Sequence, residues 1–477
     1  MANSKSLQTQ LAIIGSGPGG YAAAFYAAEM GMQVTMITSD ERPGGVCLHR
    51  GCIPSKALLH IARVINESRE VGECGVQFDA PRINVDQLRE WKNSIVNRMA
   101  NGLVELSNRR NVRIIRAFGR FADSGTIRLE PVADVPLEFE FVEFEHAILA
   151  SGSKPAIPGI FRLDDDRVMD STSALNLSDI PESLLLIGGG YIGLEMGTFY
   201  AALGSKVSVV ELTGGLLPGA DRDLVRPLQS RLEKQFQSIW LNTEVTALEA
   251  RDEGIAVRMR GQNAPEEQVF SRVLVSVGRW PNSAGMGIED TRIETDEKGF
   301  VRVDAQQRTD DPRIFAIGDV AGEPMLAHKA SREAVVAVEA ILGHKSQFDN
   351  AAIPAVVFTD PELAWCGLTE TQARAEKRKV EVARFPWGAS GRAQTIGRPE
   401  GLTKIIFDPE TERVLGVGLV GAGAGELIAE GVLAVEMACV ARDLAETIHP
   451  HPTLSETMME TAEAFFGHAT HLYRPKR

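Results

Sequence analysis

The segment Gly44-Gly45-Val46-Cys47-Leu48-His49-Arg50-Gly51-Cys52-Ile53-Pro54-Ser55-Lys56 sets two cysteines close together beside a lysine. Thiolates so spaced serve either as metal ligands or as a dithiol that cycles with a disulfide. A zinc centre usually takes four ligands, and nothing near this segment supplies the others. The interval is too long for the two sulfurs to meet on a regular helix, so Gly51 and Pro54 are expected to relax or begin a helix around the pair. A second constellation is Ile448-His449-Pro450-His451-Pro452-Thr453-Leu454-Ser455-Glu456. A lone histidine is usually structural. Here prolines on both sides of His451 exclude a simple amphipathic stripe, and Glu456 follows as an orienting carboxylate, the makings of a general base. His449 is the rival for that role.

These side chains need elements to hold them, and the chain repeats one plan twice. An apolar strand, Leu11 to Ile14, enters Gly15-Ser16-Gly17-Pro18-Gly19-Gly20 and an alanine-rich helix stopping near Gly31, followed by a strand from Val34 to Thr38. The second unit has a strand from Leu184 to Ile187, Gly188-Gly189-Gly190-Tyr191-Ile192-Gly193, a helix to Leu203 stopped by Gly204, and a strand from Val207 to Glu211. One G-x-G-x-x-G is often only a turn, but two, each between a strand and a helix, read as dinucleotide-binding units. Gly15, Gly17 and Gly20, like Gly188, Gly190 and Gly193, allow the tight turn and bring the positive helix end against a diphosphate. The ribose-gripping position of the second unit is Glu211, whose carboxylate accepts from ribose hydroxyls and repels a 2′-phosphate, favouring NAD over NADP. Its counterpart in the first unit is Thr38, a departure from the usual acid. Threonine can still bond a hydroxyl, and Asp40 or Glu41 could reach it from the following loop, though both read first as surface loop acids.

The run GGVCLHRGCIPSK resembles the redox-active segment of the flavin disulfide reductases, most closely that of the dihydrolipoyl dehydrogenase family, and the likeness runs from Leu11 to Glu463 in family order. It implies that Cys47 and Cys52 form a redox disulfide, Cys52 against the flavin and Cys47 outermost towards substrate. Lys56 would lie near the flavin ring and pair with Glu195. His49 and Arg50 stand where many relatives carry uncharged residues; their charge either lowers the thiol pKa values or is solvated. His451 is favoured over His449 as the base, with Glu456 fixing its tautomer. Ala147 to Ser153 and Val275 to Arg279 resemble the crossings between flavin and nicotinamide domains. Ile314 to Asp319 resembles the second flavin fingerprint, with Asp319 on the ribityl hydroxyls and Met325 to His328 over the ring edge. The FAD set so implied is Gly15, Gly17, Gly20, Thr38, Lys56, Gly119, Ser151, Gly152, Asp319 and Ala327. The NAD set is Gly188, Gly190, Gly193, Glu195, Glu211, Val245 and Gly278. Phe385 to Ala393 matches the interface-domain pattern without declaring a role, and no metal is implied.

The fold class expected is α/β, two Rossmann-like dinucleotide-binding domains for FAD and NAD plus a C-terminal α+β dimerisation domain. The flavin domain would comprise residues 1–152 and 281–350, the nicotinamide domain 153–280 and the interface domain 351–477. The family forms a homodimer in which His451 would reach the disulfide of the other subunit. The implied activity is oxidation of protein-bound dihydrolipoamide with reduction of NAD⁺. No lysine-bearing lipoyl module precedes the first strand, so the lipoyl group would ride on a separate acyltransferase subunit or carrier protein of a 2-oxoacid dehydrogenase or glycine-cleavage system. Other flavin disulfide reductases are the alternative, but glutathione-type enzymes prefer NADPH, with basic residues near the Glu211 position. Mercuric and large thioredoxin reductases need further C-terminal cysteines, and none follows Cys439. A redox-sensing flavoprotein without catalysis would not need Cys47, Cys52, His451 and Glu456 together.

Composition sets the outer bounds. A chain of 477 residues, 44% hydrophobic and 24% charged, is too long for one core and should fold throughout as several domains. Its 50 basic against 64 acidic residues leave a net charge of −14, which repels nucleic acid and anionic lipid alike and reads as a solubilising surface. MANSKSLQTQ lacks a signal peptide's basic and apolar segments, and no run of about 18 apolar residues occurs, so the expected location is cytoplasmic. Five cysteines argue against a secreted disulfide framework. Cys74, Cys366 and Cys439 read as small buried hydrophobes.

Overall fold

In the computed structural model, which describes residues 5–133 and 135–473, the first glycine unit occupies the middle of a seven-stranded sheet. The strands run in the order Arg113–Arg116, Val34–Thr38, Ser6–Ile14, Phe141–Leu149, Thr126–Glu130 and Phe118–Asp123, and Ile314–Ala316 also pairs with Phe141–Leu149. The pairings around Ser6–Ile14 and Phe141–Leu149 are parallel, including that of Ile314–Ala316, and those of Thr126–Glu130 with its neighbours are antiparallel. Leu11, Ala12, Ile13, Ala147, Ile148 and Leu149 are fully buried, as continuous apolar runs must be when a parallel sheet is covered on both faces. The first strand begins at Ser6 rather than Leu11, because its less buried, more polar start still pairs with Phe141–Phe144. Apolar patterning marks only the buried part.

The second unit forms an all-parallel sheet ordered Ser238–Trp240, Lys206–Val210, Ser183–Ile187, Arg272–Val275 and Val168–Met169. Its helix, Tyr191–Leu203, ends at Gly204 in a left-handed conformation, φ +116°. The stretch from Val275 to Arg279, which resembles a domain crossing, joins two strands: Arg272–Val275 stops, and Arg279–Pro281 pairs antiparallel with Ser153–Pro155. The chain turns between them at Gly278, φ +133°. The two crossings thus run side by side.

The C-terminal sheet is antiparallel, ordered Ala355–Val357, Glu362–Gly367, Val414–Gly421, Leu402–Phe407 and Glu381–Pro386, and packs against the helices Ala424–Glu436 and Glu456–Phe466. The segment from Phe385 to Ala393 acquires a structural role here. Trp387 is fully buried and donates from Nε1 to Thr403 Oγ1 at 2.9 Å, and Thr403 donates to Thr457 Oγ1 at 2.8 Å. This chain of bonds pins the start of the last helix beside Glu456. A buried ion cluster ties the C-terminal sheet to the second unit: Lys404 Nζ lies 2.6 Å from Asp221, 2.7 Å from Asp223 and 3.3 Å from Glu370. Burial alone would raise Asp221, but the Lys404 ammonium and Thr371 hydroxyl hold it down at about 2.

Cys366 is buried and its thiol is pushed up to about 12 by that burial, while Cys439 is half-buried. Cys74 departs from expectation: it is exposed, at the end of the short turn Val71–Cys74. The outer ends of the expected bounds 1–152 and 351–477, and the start of MANSKSLQTQ, lie outside the described residues. Among the described residues no helix is long and apolar enough to cross a membrane.

Candidate active site

Gly51 ends the helix Gly45–Arg50, and Cys52 begins the helix Cys52–Glu70. Cys47 and Cys52 therefore stand on two helices that meet at a break, which is how side chains at this interval come together. Pro54 lies in the first turn of the second helix, where its missing N–H breaks no helical bond. Both cysteines are free thiols. The hydrogen bond from Cys47 pulls the Cys52 thiol down to about 7, against burial, with Lys56 assisting and Glu195 opposing. The same bond, with burial, pushes Cys47 far above the ordinary thiol range. The positive end of the Cys52–Glu70 helix favours the anion on the same sulfur. The pair is poised as one thiol and one incipient thiolate.

Lys56 Nζ lies 2.8 Å from Glu195 Oε2 and 4.5 Å above the Phe358 ring. Glu195, only 3% exposed at its side chain, accepts the Phe358 N–H at 3.0 Å on its other oxygen. His49 and Arg50 are both bonded to the loop that precedes the cysteine helix. His49 Nε2 bonds the carbonyls of Arg42 and Pro43 at 2.9 and 3.1 Å, and Arg50 Nη1 donates to Asp40 Oδ1 at 2.8 Å. The cation that acts on Cys52 is Lys56.

Cys47, Cys52 and Lys56 line a cavity of about 490 Å³, with Gly15, Gly17, Thr38, Gly119, Ser151, Gly152, Glu195, Asp319 and Ala327. Gly20 is not in its wall. A Cβ there would lie 2.0 Å from Gly15 O, and a Cβ on Gly15, whose φ is +107°, would lie 2.1 Å from Ala150 O. These two glycines let helix and strand close on one another. Gly17 is different: a Cβ on it would meet no protein atom within 4 Å. Its bareness keeps open the space before the helix Pro18–Glu29, where a diphosphate would meet free N–H groups. In the same cavity Ser153 Oγ donates to Asp319 Oδ2 at 2.5 Å and accepts from Arg279 Nε at 2.7 Å, so both crossings and Asp319 share one chain of bonds. The residues present fit FAD. Thr38 faces the cavity, but its hydroxyl is engaged with Ser16 Oγ at 2.7 Å and with the Asp40 N–H at 3.2 Å.

The second glycine turn divides its work in the same way. A Cβ on Gly188 would lie 2.6 Å from Ser276 O and one on Gly193 2.5 Å from Ser276 Oγ, whereas one on Gly190 would meet nothing. Glu211 is buried behind this turn and accepts from the Gly189 N–H at 2.7 Å and from the Thr213 N–H and hydroxyl at 2.8 and 2.7 Å. A carboxylate has about four acceptor positions, so capacity for ribose hydroxyls remains, and the turn fits NAD. Val245 is buried in the strand Glu244–Arg251, and Gly278 borders open space. Among the cavity residues without a role in the sequence reading are Tyr191 and Arg279. Tyr191, 41% exposed, occupies a spacer position of the second glycine motif, which the pattern leaves blank. Arg279 closes an apolar stretch, and that charge was the available signal.

His451 Nδ1 is 2.8 Å from Glu456 Oε1, and Glu456 Oε2 accepts the Thr453 N–H at 2.7 Å. Burial raises the Glu456 carboxyl, but these two donors outweigh it and hold it below its ordinary value. The imidazole is 72% exposed, with Nε2 making no hydrogen bond among the described residues. His449 is the reverse case, with a side chain only 6% exposed and bonds to Glu430 and to Thr447 O, each at 2.8 Å. Its pKa is raised by the Glu430 carboxylate. Among the described residues, those lining the cysteine cavity include neither His451 nor Glu456.

The profile of the family described as pyridine nucleotide-disulphide oxidoreductase matches residues 9–334, and that of its dimerisation domain residues 353–462. Dihydrolipoyl dehydrogenase of Vibrio parahaemolyticus is 46% identical over 99% of each chain, and that of Halobacterium salinarum 41% over 98% of each. Among solved structures, LpdA from Mycobacterium tuberculosis superposes with a TM-score of 0.88 at 26% identity, over 96% of this chain and 99% of its own. The HOCl-induced flavoprotein disulfide reductase RclA from Escherichia coli gives 0.84 at 27% identity, over 95% and 99%. The dimerisation-domain match supports a homodimer. A chain so covered, with a dithiol at a helix break between two dinucleotide-binding turns, belongs to the pyridine nucleotide-disulphide oxidoreductases and, within them, to the dihydrolipoyl dehydrogenase family.

Proposed function

We propose that the protein oxidises the dihydrolipoyl group of a separate acyltransferase subunit or carrier protein and reduces NAD⁺, through a Cys47–Cys52 redox couple. The observation that carries this reading is the dithiol itself, with Cys52 lowered to about 7 on the wall it shares with Gly17 and Asp319. The flavin domain would take residues 1–152 and 281–350, the nicotinamide domain 153–280 and the interface domain 351–477. The proposed location is the cytoplasm.

The residues divide the work as follows. His451 Nε2, on an imidazole oriented by Glu456, takes the proton from one dihydrolipoyl thiol. The resulting thiolate attacks Cys47 of the oxidised pair; a mixed disulfide forms and Cys52 leaves as a thiolate, stabilised by Lys56 and its helix end. The second lipoyl thiol then attacks the lipoyl sulfur of the mixed disulfide, closing the lipoyl ring and releasing Cys47 reduced. When bound, FAD would supply the two-electron acceptor and NAD⁺ the final hydride acceptor. Gly15, Gly17, Gly119, Ser151, Gly152, Asp319 and Ala327 would hold FAD, with Thr38 beside them and Gly20 letting the helix close on the strand behind the turn. Gly188, Gly190, Gly193, Glu211, Val245 and Gly278 would hold NAD, and Glu195 positions Lys56 between the two. The test is turnover of the purified yellow protein with dihydrolipoamide and NAD⁺ or NADP⁺, and separately with oxidised glutathione and reduced nucleotide. Preference for NADP⁺, or faster reduction of glutathione than oxidation of dihydrolipoamide, overturns the reading.

A further inference from the structure

The first dinucleotide unit lacks an acid at the end of its second strand, and the hydroxyl of Thr38, which stands there, is already engaged by Ser16 and the Asp40 N–H. Asp40 lines the same cavity. Its side chain is 17% exposed; Oδ1 accepts from Arg50 Nη1 at 2.8 Å, and Oδ2 makes no hydrogen bond among the described residues. Arg50 also lines the cavity, and its neighbour His49 holds the carbonyls of Arg42 and Pro43. The two basic residues on the cysteine helix thus reach back to the loop that follows Thr38. A carboxylate moved from a strand end onto a loop gains reach but loses rigidity, and ordering it costs conformational entropy. A charge-assisted bond from Arg50 Nη1 and a histidine bonded to two carbonyls supply that order beforehand.

We infer that Asp40, held by Arg50, replaces the missing strand-end acid as the acceptor for the adenosine ribose hydroxyls of FAD, and that Arg50 and His49 are positioning residues for it. Arg50 has a second effect: its charge offsets the repulsion that a carboxylate would add beside a diphosphate. The cost of Thr38 is thereby met within the same loop. The inference rests on the reading that this chain binds FAD.

The test uses dimeric holoenzyme reconstituted with FAD or with analogues lacking the 2′- or 3′-hydroxyl of the adenosine ribose, with flavin affinity measured by fluorescence. Asp40→Asn should weaken FAD binding by about 10- to 100-fold, the worth of a hydrogen bond to a charged group. The wild type should lose a comparable factor with at least one deoxy analogue, and Asp40→Asn should lose little more with either. Arg50→Gln should lower the wild-type discrimination between FAD and the analogues, whereas in the Asp40→Asn background it should leave discrimination unchanged. That readout does not move if Arg50 merely supports the loop. Thr38→Glu in the Asp40→Asn background should restore both affinity and discrimination. Asp40→Asn enzyme that discriminates against the analogues as strongly as wild type overturns the inference. Wild-type protein that takes up no flavin would instead overturn the cofactor reading beneath it.

Discussion

His449 and His451 stand two residues apart and meet opposite fates. The bonds of His449 to Glu430 and Thr447 use both ring nitrogens inside the protein, whereas His451 keeps one nitrogen on Glu456 and offers the other to solvent. His451→Gln should therefore lose about 10²- to 10⁴-fold in dihydrolipoamide turnover, the usual worth of a general base, while flavin content stays intact. His449→Gln should cost less turnover and more thermal stability. Turnover of both variants, with melting curves, decides the assignment; a larger turnover loss at His449 reverses it. At Cys52 the prediction concerns pH. Its pKa is lowered to about 7, so alkylation of this thiol in the reduced enzyme should rise with pH through that value. Lys56→Met removes a cation that lowers the pKa and should move the profile to higher pH; Glu195→Gln removes an anion that raises it and should move the profile lower. Alkylation rates at Cys52 read by mass spectrometry check both, and an unmoved profile in Lys56→Met would remove the lysine from the account. Residue types and intervals made Cys47, Cys52, His451 and Glu456 legible in the sequence. They left Asp40 as a loop acid and Arg279 without a role; that Arg50 reaches Asp40 and Arg279 reaches Ser153 follows from where loops and crossings fold back.

Local elements were more legible than their partners. The strand–glycine–helix units were visible because the apolar run, the turn and the helix are contiguous, so short-range sterics and burial specify them. The insertion of Ile314–Ala316 beside Phe141–Leu149 and the pairing of Ser153–Pro155 with Arg279–Pro281 join distant segments, which no local pattern records. The glycine turns also mix two duties that a motif does not separate. Gly15 allows close packing, since a Cβ would strike Ala150 O at 2.1 Å, while Gly17 borders open space. Gly15→Ala should destabilise the fold by at least about 1–3 kcal/mol, the range for overpacking, and lower the yield of folded protein. Gly17→Ala should melt close to wild type yet emerge depleted in flavin. Melting temperature and the flavin-to-protein absorbance ratio separate the two duties. Full flavin occupancy in Gly17→Ala would show that the open space is not the diphosphate site.

At the scale of the whole molecule, the base and the disulfide couple belong to different parts of the chain, and His451 and Glu456 are not in the wall of the cavity that holds Cys47 and Cys52. Exposed apolar side chains lie before the base in sequence and along the helix that holds its neighbour His449. Ile448, three residues before His451, is 95% exposed, and Leu433 and Met437 are exposed on and just past the helix Ala424–Glu436, whose Glu430 holds His449. Such side chains on an isolated chain mark an interface, and the dimerisation-domain match covers them. Assembly was legible only through the family pattern, because composition and periodicity do not say which buried face belongs to another copy. In a two-fold dimer each site would combine the cysteines of one chain with the histidine of the other. That arrangement predicts complementation. Cys47→Ser and His451→Gln homodimers should each be nearly inactive with dihydrolipoamide. Subunits co-expressed in equal amounts should form mixed dimers with one intact site, since the His451→Gln chain supplies sound cysteines and the Cys47→Ser chain a sound base. If half of the dimers are mixed and each carries one working site of two, turnover should recover to about a quarter of wild type. Purification on two different affinity tags would isolate the mixed species, which should then run at about half the wild-type rate. Recovery is impossible if each chain uses its own histidine, because the mixed dimer would then contain two broken sites. Activity of the doubly tagged species no higher than the parents would place base and disulfide in the same chain and remove the two-subunit site.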